Sequence, residues 1–314
     1  MSFLKNLLRP KRQRTPADLA DWLKAPEAEL RAWLGSGAPW TRGYDYVRFT
    51  IPKRRGGVRQ IEAPGAKLKD LQRRVLRRLL NPLPAHPAAT GFVRGRSIVD
   101  NARPHLGRGA VINLDLADFF PTITAERVAQ CFEARGWNAE AAAILSRICT
   151  NEGRLPQGAP TSPAVSNLVC RKLDARLSAL AARFAGSYTR YADDITISLP
   201  AFGRNKRLRK KPKGRPALPR PKRVASRSLL TYVRQIIEEE GFRIQMKKRV
   251  RVQRPHQRQT ATGLVVNHTV NLPRAVRRRI RAMQDHERRG RLDEAGLRRL
   301  RGLEALLSMV QKQR

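Results

Sequence analysis

Acid is what this sequence has least of. Its 25 Asp and Glu stand against 65 Lys and Arg in 314 residues, a formal charge of +40 and a pI near 11.7. A surface of that sign argues for a polyanionic partner, and nucleic acid comes first because neutralising phosphates releases counterions. Long apolar runs are also missing. None approaches the ~18 residues of a membrane span, the opening MSFLKNLLRPKRQR is too short in apolar residues for a signal peptide, and no amphipathic or lipidated anchor is visible. The expectation is a cytoplasmic protein with no membrane partner. Cysteine is scarce: Cys131, Cys149 and Cys170 are odd in number and lack CxxC or Cys/His spacing, which excludes a disulfide framework and structural zinc and predicts buried thiols. Apolar residues make up 41%, enough for a real core, and no internal repeat is present.

Local patterns supply the elements. TPADLADWL offers Thr15 as N-cap, Pro16 at the first helical position and Asp18 in the first turn, with a second short helix expected from Pro26 to Leu34. YDYVRFTIPKRRGGVRQIEAP reads as two strands flanking a basic Gly-Gly turn. Leu68, Leu71, Val75, Leu76 and Leu79 form a helical stripe, and the last 45 residues carry arginine-rich helical runs with apolar residues for a small bundle. Residues 201–227 hold twelve basic residues, four prolines and no acid, too little apolar matter for a core. This segment reads as a basic, RNA-seeking insertion or as a solvated linker.

The scarce acids are unevenly spent. AVINLDLADFF is a buried strand ending in Asp115, and 78 residues later RYADDITIS sets Asp193 beside Asp194 within a hairpin. An Asp-Asp pair alone is an ordinary turn signal. Yet two unit charges ~4 Å apart repel by roughly 4 kcal/mol at an effective dielectric of about 20. Pairing the two segments in one sheet would add a third carboxylate, and three hard oxygen donors suit Mg²⁺. Two such ions support the in-line displacement of nucleotide polymerisation.

With IPKRRGGVRQIEAP, NLDLADFFPTI, LPQGAPTSPAVSNLVCRKLD, YADD and EEEGFRIQMKKRV in this order, the chain resembles reverse transcriptases over nearly all of its length after Tyr44, and within them the retron type of bacteria. The resemblance implies an α+β right-hand polymerase: an N-terminal helical extension at 1–43, fingers at 44–106, a palm of antiparallel sheet packed on helices at 107–262 with an interleaved fingers segment and the basic insertion, and a small helical thumb at 263–314. It implies that Asp115, Asp193 and Asp194 bind two Mg²⁺ ions, which Mn²⁺ can replace, with the carbonyl of Leu116 beside a metal. It makes Phe120 the aromatic gate that excludes a 2′-hydroxyl, although Phe119 and Phe120 read equally as core. Lys53 and Arg59 would grip the triphosphate, where surface charge is the plainer reading; Gln157 and Gly158, with Ser162 and Pro163 completing QGxxxSP, would touch nucleotide and template. Lys247 and Lys248 fall where the family has a lysine that protonates pyrophosphate.

Two further elements resemble the retron branch. Asn101, Ala102 and His105 form NAxxH, and Ala261, Thr262 and Gly263 stand where the branch has Val-Thr-Gly; both imply contacts with the cognate RNA. From the residues alone, His105 reads as a helix-cap or core histidine. The resemblance implies an RNA-directed DNA polymerase that binds dNTPs and its own noncoding RNA, primes from an RNA 2′-hydroxyl, holds an RNA-DNA hybrid product as branched msDNA, and serves anti-phage defence beside a separately encoded effector protein. A group II intron enzyme would need a maturase region, for which the ~45 residues after the palm are too few. A diversity-generating enzyme would have Ser-Gln where this chain has Ser162-Pro163, and a non-catalytic RNA-binding scaffold would need no carboxylate cluster in a basic cleft.

Overall fold

A computed structural model describes residues 13–35, 43–53, 56–200, 226–245 and 250–313. The chain divides into two units, one of residues 1–86 and 118–171, the other of residues 87–117 and 172–314. Within both, helices accompany antiparallel strands, an α+β construction.

In the first unit, helix α1 (Pro16–Leu23) starts as its residues dictate. Thr15 and Asp18 form a reciprocal capping box, Pro16 occupies the first turn, and Leu19 and Leu23 are buried. The guanidinium of Arg14 lies 5.0 Å from the Trp22 ring and 5.4 Å from that of Trp137. The expected second helix forms as α2 (Glu27–Arg31) and tightens into a 3₁₀ turn at Ala32–Leu34. Strands β1 (Tyr46–Pro52) and β2 (Val58–Pro64) make the expected hairpin, with Ile51 opposite Arg59. Helix α3 (Ala66–Val75) passes into a π-helical turn at Leu76–Leu80, where the Asn81 N–H donates to the Leu76 carbonyl at 2.8 Å. This extra residue shifts the stripe, so Leu79 and Leu80 are both buried while Leu76 is half-buried. Helices α5 (Ala125–Glu133), α6 (Ala139–Cys149) and α7 (Ser162–Val169) complete the unit. The short helix α4 (Ile98–Ala102) is part of the second unit.

That second unit is built on a four-stranded antiparallel sheet of β3 (Ala110–Asp115), β4 (Ser187–Tyr191), β5 (Asp194–Leu199) and β6 (Arg251–Gln253), in the spatial order β4-β5-β3-β6. Val111, Ile112 and Leu114 of β3 and Ile195, Ile197 and Leu199 of β5 are buried, as central strands require. Helix α8 (Arg171–Arg183) begins at the unit boundary, and Arg176 on it pairs with Glu239 and Glu240 at the end of α9 (Ser226–Glu239). A small hairpin, β7 (Thr260–Ala261) with β8 (Leu264–Val265), precedes helices α10 (Arg274–Arg288) and α11 (Glu294–Lys312). These two are the arginine-rich runs of the sequence. Ile280, Leu300 and Val310 bury their apolar stripes with Val99, Ala102, Val266 and Leu272, leaving the charges outside.

Candidate active site

The first two carboxylates are brought together by strand register. β3 pairs with β5 along its whole length, and the last pair is Asp115 opposite Asp194. β4 and β5 are joined by the two-residue turn Ala192-Asp193, closed by the pair Tyr191 and Asp194. Asp193 sits at this turn, and its carbonyl accepts from the Leu116 N–H at 3.0 Å, tying the turn to the residue after Asp115. Beyond the sheet edge, the Ala117 N–H donates to Arg243 O at 2.7 Å and the Gln245 N–H to Asp115 O at 2.8 Å. Asp115 and Asp193 are half-buried and Asp194 is exposed, so all three carboxylates are open to solvent.

The donor set fits a hard divalent cation: three carboxylates, with no thiol or imidazole among them. Among the described residues no three acidic, thiol or imidazole side chains converge to enclose a metal; strand register brings Asp115 opposite Asp194, with Asp193 in the adjoining turn.

Other expected nucleotide contacts lie in the first unit. Lys53 and Arg59 are exposed at the β1–β2 hairpin. Gln157 and Gly158 run against β2, where the Glu62 N–H donates to the Gln157 carbonyl at 2.8 Å. Gly158 has φ +135°, and a Cβ there would lie 2.8 Å from the Glu62 carbonyl oxygen, so no other residue fits. The Ser162 hydroxyl donates to Pro156 O at 2.7 Å and fixes this loop onto α7. Phe120 is half-buried and packs edge-on against buried Phe119, with ring centres 5.3 Å apart. Lys247 and Lys248, and residues 201–225 of the basic insertion, lie outside the described residues.

The residues expected to meet RNA divide. Asn101, Ala102 and His105 are fully buried. Asn101 accepts the Thr90 hydroxyl at its Oδ1 (2.7 Å) and the Thr189 hydroxyl at its backbone carbonyl (3.2 Å). Both ring nitrogens of His105 are hydrogen-bonded, Nε2 with the Thr189 hydroxyl at 2.7 Å and Nδ1 with the Ser198 hydroxyl at 2.8 Å. The element thus buttresses the two strands of the aspartate hairpin, which suits the core reading of His105. Between β7 and β8, Gly263 is exposed, Thr262 is half-buried with its Oγ1 donating to Ile98 O at 3.1 Å, and Ala261 is buried.

Burial pushes the His105 imidazole down to about 3, with nearby Arg108 adding to the effect. A folded pKa below the unfolded value of about 6.5 means that the unfolded chain takes up this proton first. The stability tied to neutral His105 is complete above about pH 6.5 and is lost as pH falls towards 3, by up to ~1.4 kcal/mol per pH unit. Urea unfolding at pH 7.5, 6.0 and 5.0 should show this slope, and His105→Gln should flatten it; an equal slope in the variant would assign the effect to other groups.

Sequence reasoning missed Arg190 and Asp174, which form a fully buried ion pair beneath the hairpin. The signal was present: Arg190 shares a face of β4 with buried Tyr188, and Asp174 lies on the buried stripe of α8 with Leu177 and Ala181.

Comparison with known proteins bears on this site. Residues 51–262 match the family described as reverse transcriptase (RNA-dependent DNA polymerase). The chain is 40% identical to the Retron Mx65 reverse transcriptase of Myxococcus xanthus over 95% of its own length and 68% of that protein. It is 40% identical to the Retron Mx162 reverse transcriptase of the same organism over 84% of itself and 58% of that protein. With the Retron Ec86 reverse transcriptase of Escherichia coli it shares 36% identity over 79% of itself and 71% of the relative.

Proposed function

Because the chain belongs to the reverse transcriptases, with retron enzymes as its relatives, and is an RNA-directed DNA polymerase, we propose that it copies part of its own structured noncoding RNA into a short branched RNA-linked DNA. The observation that carries the catalytic part is the register of Asp115 opposite Asp194, with Asp193 in the adjoining turn. Enzymes of this family use divalent metal ions. In this reading Asp115, Asp193 and Asp194 hold two Mg²⁺, or Mn²⁺ in their place, with the Leu116 carbonyl beside them. Their carboxylates would hold such ions where the chemistry supplied is stabilisation of the attacking and leaving oxygens of an in-line displacement.

The chain's own residues do the rest by holding and excluding. Lys53 and Arg59, exposed at the tip of the β1–β2 hairpin, grip the triphosphate of a dNTP, Arg59 with the fork geometry that suits phosphate. Gln157 and the side-chain-free surface of Gly158 line the nucleotide and template, and the Phe120 ring denies room to a 2′-hydroxyl. Lys247 and Lys248 offer a proton to the departing pyrophosphate. Thr262 and Gly263, with the basic helices α10 and α11, face the cognate RNA, whereas Ala261 is buried in the core beneath them and Asn101, Ala102 and His105 support the hairpin from behind. The regions correspond to fingers at 44–106, palm at 107–262 and thumb at 263–314. Among the described residues no helix is long and apolar enough to cross a membrane. The working site we assign is the cytoplasm, in anti-phage defence, with a separately encoded effector as a further partner.

Extraction of the nucleic acid that copurifies with the protein from cells carrying its native locus tests this reading. A discrete short DNA whose mobility changes after RNase and again after a debranching enzyme is expected. Bound RNA with no such DNA would leave the polymerase but remove the retron product.

A further inference from the structure

Resting on the assignment of Asp193 and Asp194 to the reaction, we propose that the buried pair of Arg190 and Asp174, with Tyr188, positions the aspartate turn for catalysis. Arg190 is among the largest fully buried side chains of the protein, and Asp174 is equally inaccessible. Their contact is a two-pronged fork: Nε to Oδ1 at 2.8 Å and Nη2 to Oδ2 at 2.7 Å. The Tyr188 hydroxyl donates to Asp174 Oδ1 at 2.7 Å. The remaining guanidinium nitrogen, Nη1, donates to the carbonyl of Ala192 at 3.1 Å.

Stability does not account for this arrangement. Taking two charges out of water costs about what their attraction returns, and a well-packed apolar pair often serves as well or better. What an apolar pair lacks is the donor to Ala192. That carbonyl belongs to the peptide that enters Asp193, and Ala192 holds φ +57°, a left-handed conformation unfavourable to a residue with a Cβ. Fixing the carbonyl fixes the peptide plane from which Asp193 projects.

The backbone of Arg190 is held as firmly as its side chain. Its N–H donates to Ala88 O at 2.8 Å, and its carbonyl accepts the Thr90 N–H at 2.9 Å. Directly behind the turn is Gly91, where a Cβ would lie 2.5 Å from the Ala192 nitrogen. Asp174 has a second consequence. By cancelling the guanidinium charge, it gives the turn a strong donor without placing net positive charge under carboxylates that must attract cations.

The test uses the full chain bound to an RNA template with a DNA primer. Arg190→Met combined with Asp174→Leu removes both charges and keeps an apolar fill; Arg190→Lys keeps the charge and loses the fork. In the double variant single-turnover kcat should fall roughly 10- to 100-fold while the dNTP KM stays within about twofold, the split expected when groups are misplaced rather than unbound. Arg190→Lys should fall between it and wild type. Mn²⁺ affinity without nucleotide, read from the electron paramagnetic resonance of unbound Mn²⁺, should weaken in the same order. Melting curves and primer-template binding report folding. Wild-type kcat and Mn²⁺ affinity in a folded double variant would overturn the proposal, and if the double variant does not fold, the same result in Arg190→Lys would. Asp193→Asn, prepared alongside, separates the two levels: activity retained there would remove the catalytic assignment itself, whereas an inactive Asp193→Asn beside a fully active double variant would remove only the positioning role.

Discussion

Asp193→Asn is expected to stop DNA synthesis, lowering the rate of nucleotide addition by roughly 10³-fold or more, while RNA binding stays close to that of the wild type. The substitution is isosteric, and Asn is at home in a two-residue turn, so the β4–β5 hairpin should keep its register. What disappears is one of the three negative charges that the proposed divalent-ion site relies on. RNA affinity should hardly notice, because it rests on a formal charge of +40 spread over the chain, and loss of one acid moves that balance slightly towards tighter binding. Filter binding with one RNA at two salt concentrations checks the second half of the statement. A variant that loses RNA binding and its melting transition together would mean that Asp193 is structural.

Phe120→Ala should admit ribonucleotides, reducing the preference for a deoxynucleotide over its ribo counterpart by about 100-fold. Selection of this kind works by exclusion: a ring fixed beside C2′ leaves no space for an added oxygen. The ring can act so only if it is held, and buried Phe119 does that through an edge-on contact at 5.3 Å. The two neighbours should therefore separate cleanly. Phe119→Ala empties a core position and should cost about 3–5 kcal/mol of stability, whereas Phe120→Ala, at a half-buried ring, should cost less and change sugar choice. Competing a deoxynucleotide with its ribo counterpart opposite one template base measures the ratio. If the ratio stays at the wild-type value in Phe120→Ala, the gate lies elsewhere.

The backbone placement of the three acids was readable in the chain because it depends on period and register. AVINLD and DITISL alternate or run apolar in the way that central strands must, and each carries its acid at a strand end, so pairing them brings Asp115 to Asp194. Thr15, Pro16 and Asp18 announced α1 by capping chemistry that acts within four residues. The parts that were not legible depend on contacts distant in sequence. Nothing near Leu76 signals that α3 gains a π-helical turn, which leaves both Leu79 and Leu80 buried. The partner of Arg190 lies 16 residues away on α8, and only the folded sheet reveals that the guanidinium also reaches Ala192. For His105 the residues and the resemblance pointed in different directions, and burial of both ring nitrogens against Thr189 and Ser198 agrees with the residues.

The measurement that goes most directly to the central claim is single-turnover addition of one dNTP to a primer on an RNA template, in Mg²⁺, with wild-type protein and Asp193→Asn loaded to the same occupancy. The arrangement of Asp115, Asp193 and Asp194 predicts extension by the wild type and none above background by the variant at equal occupancy. Extension by Asp193→Asn at a rate comparable to wild type would contradict it, and would place the chemistry of this protein outside the β3–β5 carboxylates.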